Sequence, residues 1–258
     1  MELINLLNRL GKAYPASLAE SWDFPGYQVG KKDLHREVRK VFLCLDFSEI
    51  CFAEALAFKP DVIITHHPFL FGTRRQVLAE DPLKDDLTVR IEAELSCPIY
   101  SYHTAFDKAQ GGMNDTILRN LGLTPYSLPE ESIIRFAKLA KPMTMAELAL
   151  FLKQKLGINY VRTLTGMISP IETIGLVAGG GSSYARRAID LGADAFLSGD
   201  CPQHTRLDLR RYQINYVELP HEIEEQGFLT GMGKKLLSLD PSLSLASFAY
   251  EKDFDLTR

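Results

Sequence analysis

Cysteine is scarce in this 258-residue sequence, and the four present, Cys44, Cys51, Cys97 and Cys201, form no C-x-x-C pair. That excludes a cysteine-rich zinc site and a dense disulfide framework, and reduced thiols in a cytoplasmic setting are the expectation. A basic surplus is also lacking. The formal net charge of -4 and pI near 5.9 provide no global field for nucleic acid or anionic lipid. The densest basic stretch, Lys31, Lys32, Arg36, Arg39 and Lys40, is diluted by Asp33 and Glu37 and reads as a solvated turn. No apolar run approaches the roughly 18 residues of a membrane span, since residues 146–152 are short and carry Glu147. The start of the chain has an acid at Glu2 and a helical stripe of Leu3, Leu6, Leu7 and Leu10, so no signal peptide is expected. No long Gly/Ser-rich linker occurs either, which predicts packed lobes of a soluble protein.

What is present reads as β-α-β. Residues 41–46 form an apolar strand, and Ser48 is placed to cap a helix running to about residue 58. Residues 61–65 are a short strand of the fully buried kind, ending at His66-His67-Pro68. A helix over about 82–95, a strand over 98–102 leading to His103, and a short helix over 115–121 closed by Gly122 complete the first half. Residues 21–30, with Pro25, Gly26 and Gly30, read as a turn-rich loop.

Sliding the chain by 133 positions lays Val41 on Ile174, Leu43 on Leu176, Ala55 on Ala188, Asp61 on Asp194, Ile64 on Leu197 and Thr65 on Ser198 without a gap. A duplicated β-α-β unit leaves such a trace. Thr144 and Glu147 form a capping box for a helix over 145–156. The expected fold is therefore α/β, with two similar lobes from an internal duplication and mixed sheets flanked by helices. The first lobe takes residues 1–126 and about 217–258, and the second takes 127–216.

Chemistry concentrates at strand ends, where open α/β sheets bind ligands. His66 and His67 follow one buried strand, and adjacent side chains on extended backbone point in different directions, so each can face a different ion. His103 and Asp107 form H-x-x-x-D after another apolar run, and His221 and Glu225 form H-x-x-x-E after a third. A spacing of four puts both side chains on one face of a helical segment. Together these motifs supply imidazoles and carboxylates but no thiolate, a set that suits Zn, Mn, Fe or Ni, with Glu225 able to bridge a pair of ions between the lobes. Gly179, Gly180 and Gly181 are contiguous, unlike G-x-G-x-x-G, and read as a tight strand-to-helix turn rather than an anion cradle. Asp200 and His204 are weaker candidates facing a ligand in the second lobe.

At these residues the chain resembles the GTP cyclohydrolase 1 type 2 homologue family. The match includes Trp22-Asp23 with Gly26, Gln28, Val29 and Gly30; residues 61–71 with Thr-His-His-Pro; His103-Thr104 with Asp107; Gly111-Gly-Met-Asn-Asp115; Ser198-Gly-Asp200 with His204; and His221 with Glu225. The resemblance is to the short two-domain form, and it implies a toroidal homohexamer with a dinuclear metal site. By that resemblance His66, His67, Asp107, His221 and Glu225 are the metal ligands, and His103 lies beside them. Departures fall at Phe24-Pro25, Gln203, Pro220 and Glu224.

The leading functional expectation is a metal-dependent hydrolase of a nucleotide or phosphoester, with a pair of divalent ions and with His103 and Glu225 managing protons. The alternative is a non-catalytic metal-binding ring with a regulatory or partner-binding role.

Overall fold

The computed structural model describes residues 1–129 and 131–249, so residues 250–258 of the expected first lobe lie outside the described residues. The chain divides into two compact units, residues 1–109 with the chain from Phe228 onward, and Gln110–Gly227. The elements of the first run are α1 (Leu3–Ala13), β1 (Gly26–Gly30), β2 (Lys40–Cys44), α2 (Glu49–Phe58), β3 (Val62–Thr65), α3 (Arg74–Glu80), α4 (Pro82–Glu94), β4 (Pro98–Ser101) and α5 (His103–Lys108). The second unit holds α6 (Met113–Asn120), β5 (Tyr126–Leu128), β6 (Glu131–Met143), α7 (Met145–Leu156), β7 (Arg162–Leu164), β8 (Ile171–Leu176), α8 (Ala185–Asp190), β9 (Ala195–Ser198), α9 (Gln203–Arg211), β10 (Tyr216–Glu218) and α10 (His221–Glu224). The chain then returns through α11 (Gly227–Leu239) to β11 (Ser244–Phe248).

Both sheets are mixed. In the first unit the order is β1-β4-β3-β2-β11, with β1 antiparallel to β4 and the other pairs parallel. In the second unit the order is β5-β6-β8-β9-β10-β7, with β8, β9 and β10 parallel and β7 antiparallel on β10. Read from that antiparallel edge, β1-β4-β3-β2 and β7-β10-β9-β8 are the same arrangement.

The repeat holds at the level of register. Val41 pairs with Val62 and Leu43 with Ile64, while Ile174 pairs with Ala195 and Leu176 with Leu197, each at the 133-residue offset. Asp61 Oδ2 accepts from the N–H groups of Arg39 and Lys40 at 2.8 and 2.9 Å, and Asp194 Oδ2 accepts from those of Glu172 and Thr173, both at 2.9 Å. A carboxylate that satisfies two strand-entry donors sets the register locally, which explains the acidic residue before each second strand.

The core of the first unit gathers Phe42, Phe52, Ile63, Ile91 and Ile99, and that of the second gathers Phe136, Ala188, Phe196, Leu209 and Tyr216. All of β3 and all of β9 are buried, as unbroken apolar strands require when covered on both faces. Ser48 caps α2 through the Cys51 N–H, and the Thr144–Glu147 capping box is formed at α7. The four cysteines are buried thiols, and burial pushes the Cys97 thiol up to about 12. Among the described residues no helix is long and apolar enough to cross a membrane.

Two expectations change. The loop read over 21–30 contains a strand, β1, whose Tyr27 lies opposite Tyr100. Its two flanking glycines belong to the sheet edge, and a Cβ on Gly30 would sit 2.3 Å from the Cys97 carbonyl oxygen. The unit limits fall at 109 and 227 rather than at 126 and 217. The first moves because Asn114 on α6 donates to the Ile133 carbonyl and accepts from the Ala178 N–H, while Arg135 on β6 donates to Asp115. The second moves because β10 pairs with β9 and leads directly into α10.

Arg135 and Asp115 are both buried, and Asp115 also accepts from the Gly111 N–H at 2.7 Å. Asp115→Ala removes a buried carboxylate from beside the guanidinium, so the urea unfolding midpoint should fall by the equivalent of about 3–5 kcal/mol. Thr144→Ala, which removes only an exposed cap, should cost about 1 kcal/mol in the same assay.

Candidate metal centre

In the first unit the parallel sheet delivers three imidazoles to one place. The strand β3 ends at Thr65, and the next two residues are fixed by backbone bonds from His66 N–H to Cys44 O (3.1 Å) and from His67 N–H to Leu45 O (3.0 Å). The His66 carbonyl accepts from Ser101 Oγ (2.7 Å) and from the His103 N–H (2.9 Å), which ties the end of β3 to the start of α5. The His66 and His67 rings are 4.7 Å apart, and ligand atoms of His66, His67 and His103 all lie within 4.8 Å of one another. The His103 ring stands 5.3 Å from that of His66 and 5.4 Å from that of His67. Asp107, one helical turn on, brings Oδ1 to 3.7 Å from His66 Nε2.

Two of these imidazoles are aimed by carboxylates. His67 Nδ1 is 2.9 Å from Asp46 Oδ1, and His103 Nδ1 is 2.8 Å from Asp23 Oδ1. Asp23 also accepts from the N–H and the hydroxyl of Thr104. Burial alone would raise the Asp23 carboxyl, but these hydrogen bonds and the His103 charge bring it below the usual carboxylate range. An ionised Asp23 takes the Nδ1–H of His103 and leaves Nε2 as the acceptor.

The second unit repeats the device. His221 opens α10, and its Nε2 meets Glu225 Oε2 at 3.0 Å, the i,i+4 contact expected of the motif, while its Nδ1 meets Asp200 Oδ2 at 2.9 Å. Burial lowers the His221 pKa, but the bond and charge of Glu225 and then of Asp200 outweigh it and raise the pKa to about 10. Two carboxylates around one imidazole concentrate negative charge there, which is the electrostatics that favours a cation.

The glycine turn serves this pair. Gly179 sits at φ +62, and a Cβ there would lie 2.5 Å from Glu225 Oε1 and 3.1 Å from His221 Nε2. Its N–H donates to Glu224 Oε2 at 3.1 Å, so the departure at Glu224 has a partner in the turn. Asp200 acts by orienting His221, and His204 is exposed on α9.

The donors fit borderline divalent metals, since they are imidazoles and carboxylates with aspartates behind the rings. Asp23, Asp46, Asp200 and Gly179 are the residues that motif reading passed over or gave a lesser role. The 133-residue offset carries a partial signal for three of them, laying Asp46 on Gly179 and His67 on Asp200.

The model of the Duf34/NIF3 (NGG1p interacting factor 3) family matches residues 1–255. A Clostridium perfringens relative named GTP cyclohydrolase 1 type 2 homolog is 28% identical over 243 residues, spanning 92% of this chain and 91% of the relative. The Schizosaccharomyces pombe protein NIF3 homolog is 28% identical over 259 residues, again 92% of this chain and 91% of that one. A Staphylococcus aureus crystal structure has the same fold, with a TM-score of 0.84 at 22% identity, covering 100% of this chain and 99% of that one.

Gly179→Ala should lower the unfolding midpoint by the equivalent of about 1–2 kcal/mol from the left-handed backbone alone. The new methyl group should also displace Glu225, which an altered His221 imidazole resonance in NMR would report.

Proposed function

We propose that this chain, which belongs to the Duf34/NIF3 family, binds a pair of divalent metal ions and is a metal-dependent hydrolase acting on a nucleotide or phosphoester. In this reading His66, His67, Asp107, His221 and Glu225 are the ligands, and His103 and Glu225 handle protons. The observation that carries it is the repeated aspartate–imidazole bond of 2.8–2.9 Å at His67, His103 and His221. Metal-bound histidines are held in this way, with the second ring nitrogen on a carboxylate so that tautomer and direction are set.

A donor set of imidazole and carboxylate suits Zn, Mn, Fe or Ni, and the ligand set is too small to close two octahedral sites, so positions remain for water and substrate. When bound, the ions supply Lewis-acid polarisation of the scissile group and acidify water. The chain's own part is to move protons. His103, oriented by Asp23, offers Nε2 as a general base within a cluster of imidazoles, and Glu225 takes up or returns a proton beside His221.

The name of the Clostridium perfringens relative makes GTP ring opening one reaction to test, and phosphoester hydrolysis is the other. A cytoplasmic location, supported by four buried thiols of the kind a reducing compartment keeps, and assembly into a homohexameric ring belong to the same proposal. The family's description as an interacting factor favours a second reading, a non-catalytic metal-binding ring that regulates or binds a partner.

Elemental analysis of untagged wild type should find about two ions per subunit, falling in Glu225→Ala. Hydrolysis of GTP or of bis(4-nitrophenyl) phosphate should be lost on chelation and in Asp107→Ala, with the unfolding midpoint of that variant retained. Metal without turnover, with assembly or stability lost when the metal is removed, would favour the second reading. A protein that takes up none of Zn, Mn, Fe or Ni would sink both.

A further inference from the structure

Trp22, Phe24 and Phe71 are large apolar residues left 54, 40 and 50% exposed, and all three lie together beside His103. The Trp22 and Phe71 rings are nearly parallel, 27° apart with centroids at 5.9 Å, and Phe24 meets Phe71 edge-on at 6.0 Å. Each of Trp22 and Phe71 stands 5.8 Å from the His103 ring and close to perpendicular to it.

Exposed aromatic side chains on a loop usually pay little for several orientations, but these loops are held from beneath by buried polar groups. The carboxylate of Asp23, next to Trp22, is out of solvent and bonded to His103 and Thr104. Gln28, also buried, donates from Nε2 to the Phe24 carbonyl at 2.8 Å and accepts from the Leu70 N–H at 3.0 Å through Oε1. One side chain therefore ties the Phe24 segment to the Phe71 segment. The aromatic surface is organised before any ligand arrives, which lowers the ordering cost of binding.

We propose that Trp22, Phe71 and Phe24 form a stacking platform that seats a flat heteroaromatic ring of the substrate, with the edge of that ring turned toward His103. The reaction at His103 rests on the hydrolase reading above, whereas ring binding does not. Near-parallel flat faces suit a planar π-system, while a cation cage needs rings that face inward on several sides. Phe24, one of the chain's departures from the family pattern, extends the platform and makes this residue a determinant of which ring is accepted.

Trp22 is the single tryptophan of the chain, so its emission reports the platform directly. The full-length protein, as purified and after chelation, is titrated with adenosine 5′-monophosphate, ribose 5-phosphate and tetramethylammonium, with correction for absorbance. The nucleotide is expected to quench Trp22 in both preparations and the other two are not. Phe71→Ala should raise the midpoint about tenfold, the effect of one base–aromatic stack, and Phe71→Tyr should restore it. Quenching by the nucleotide in both preparations, with no turnover by the metal-loaded protein, would defeat the hydrolase reading and leave the platform standing. Equal quenching by ribose 5-phosphate, quenching by tetramethylammonium alone, or emission that follows protein concentration and ignores every ligand would each overturn the platform, pointing to a phosphate site, a cation cage or a contact between chains.

Discussion

A neutral imidazole coordinates a metal or accepts a proton through the ring nitrogen that carries no hydrogen, and the hydrogen bond made by the other nitrogen sets which one that is. Here the choice is imposed by aspartates. Asp46 holds His67, Asp23 holds His103 and Asp200 holds His221, each through Nδ1. The three carboxylates come from the segment after β2, the loop before β1 and the segment after β9. Each loop conformation is therefore constrained by the need to bring a carboxylate to a ring on another segment, and the buried bonds of Thr104 and Ser101 extend that constraint into the framework.

The framework itself is one solution used twice. A parallel strand pair entered past an aspartate, a third parallel strand, and an antiparallel edge recur in both units, and the 133-residue register is preserved down to the two N–H donors on Asp61 and Asp194. What differs is the content of the strand ends. After β3 the first unit carries two histidines, and after β9 the second carries Gly199-Asp200. After the third parallel strand both units keep a histidine followed four residues later by an acid, His103 with Asp107 and His221 with Glu225. The shared part is the part that backbone pairing demands, and the divergent part lies where pairing stops and side chains are released toward ligands.

The buried strands, the helix caps at Ser48 and Thr144 and the repeated unit were legible because they rest on local periodicity and on short-range hydrogen bonds. The histidines and acids of the strand ends were legible because residue type and spacing announce a chemistry. The strand at Gly26–Gly30 was not, because its glycines mimic loop punctuation and its reason for being a strand is β4, some 70 residues away. The first unit limit differs from the expected one because α6 is held by Asn114 and Asp115, polar residues whose partners lie 19, 20 and 64 positions further on.

The amino-acid sequence by itself determined the α/β class, the duplicated β-α-β unit and which strand ends carry imidazoles and carboxylates, since these follow from periodicity, offset and residue chemistry. Only the tertiary structure decided which aspartate aims which imidazole, that the turn at Gly179 exists to let Glu225 approach, and that Trp22, Phe24 and Phe71 meet beside His103. Those relations join residues 21 to 81 positions apart, and such contacts follow from strand order and loop path, which no local pattern encodes.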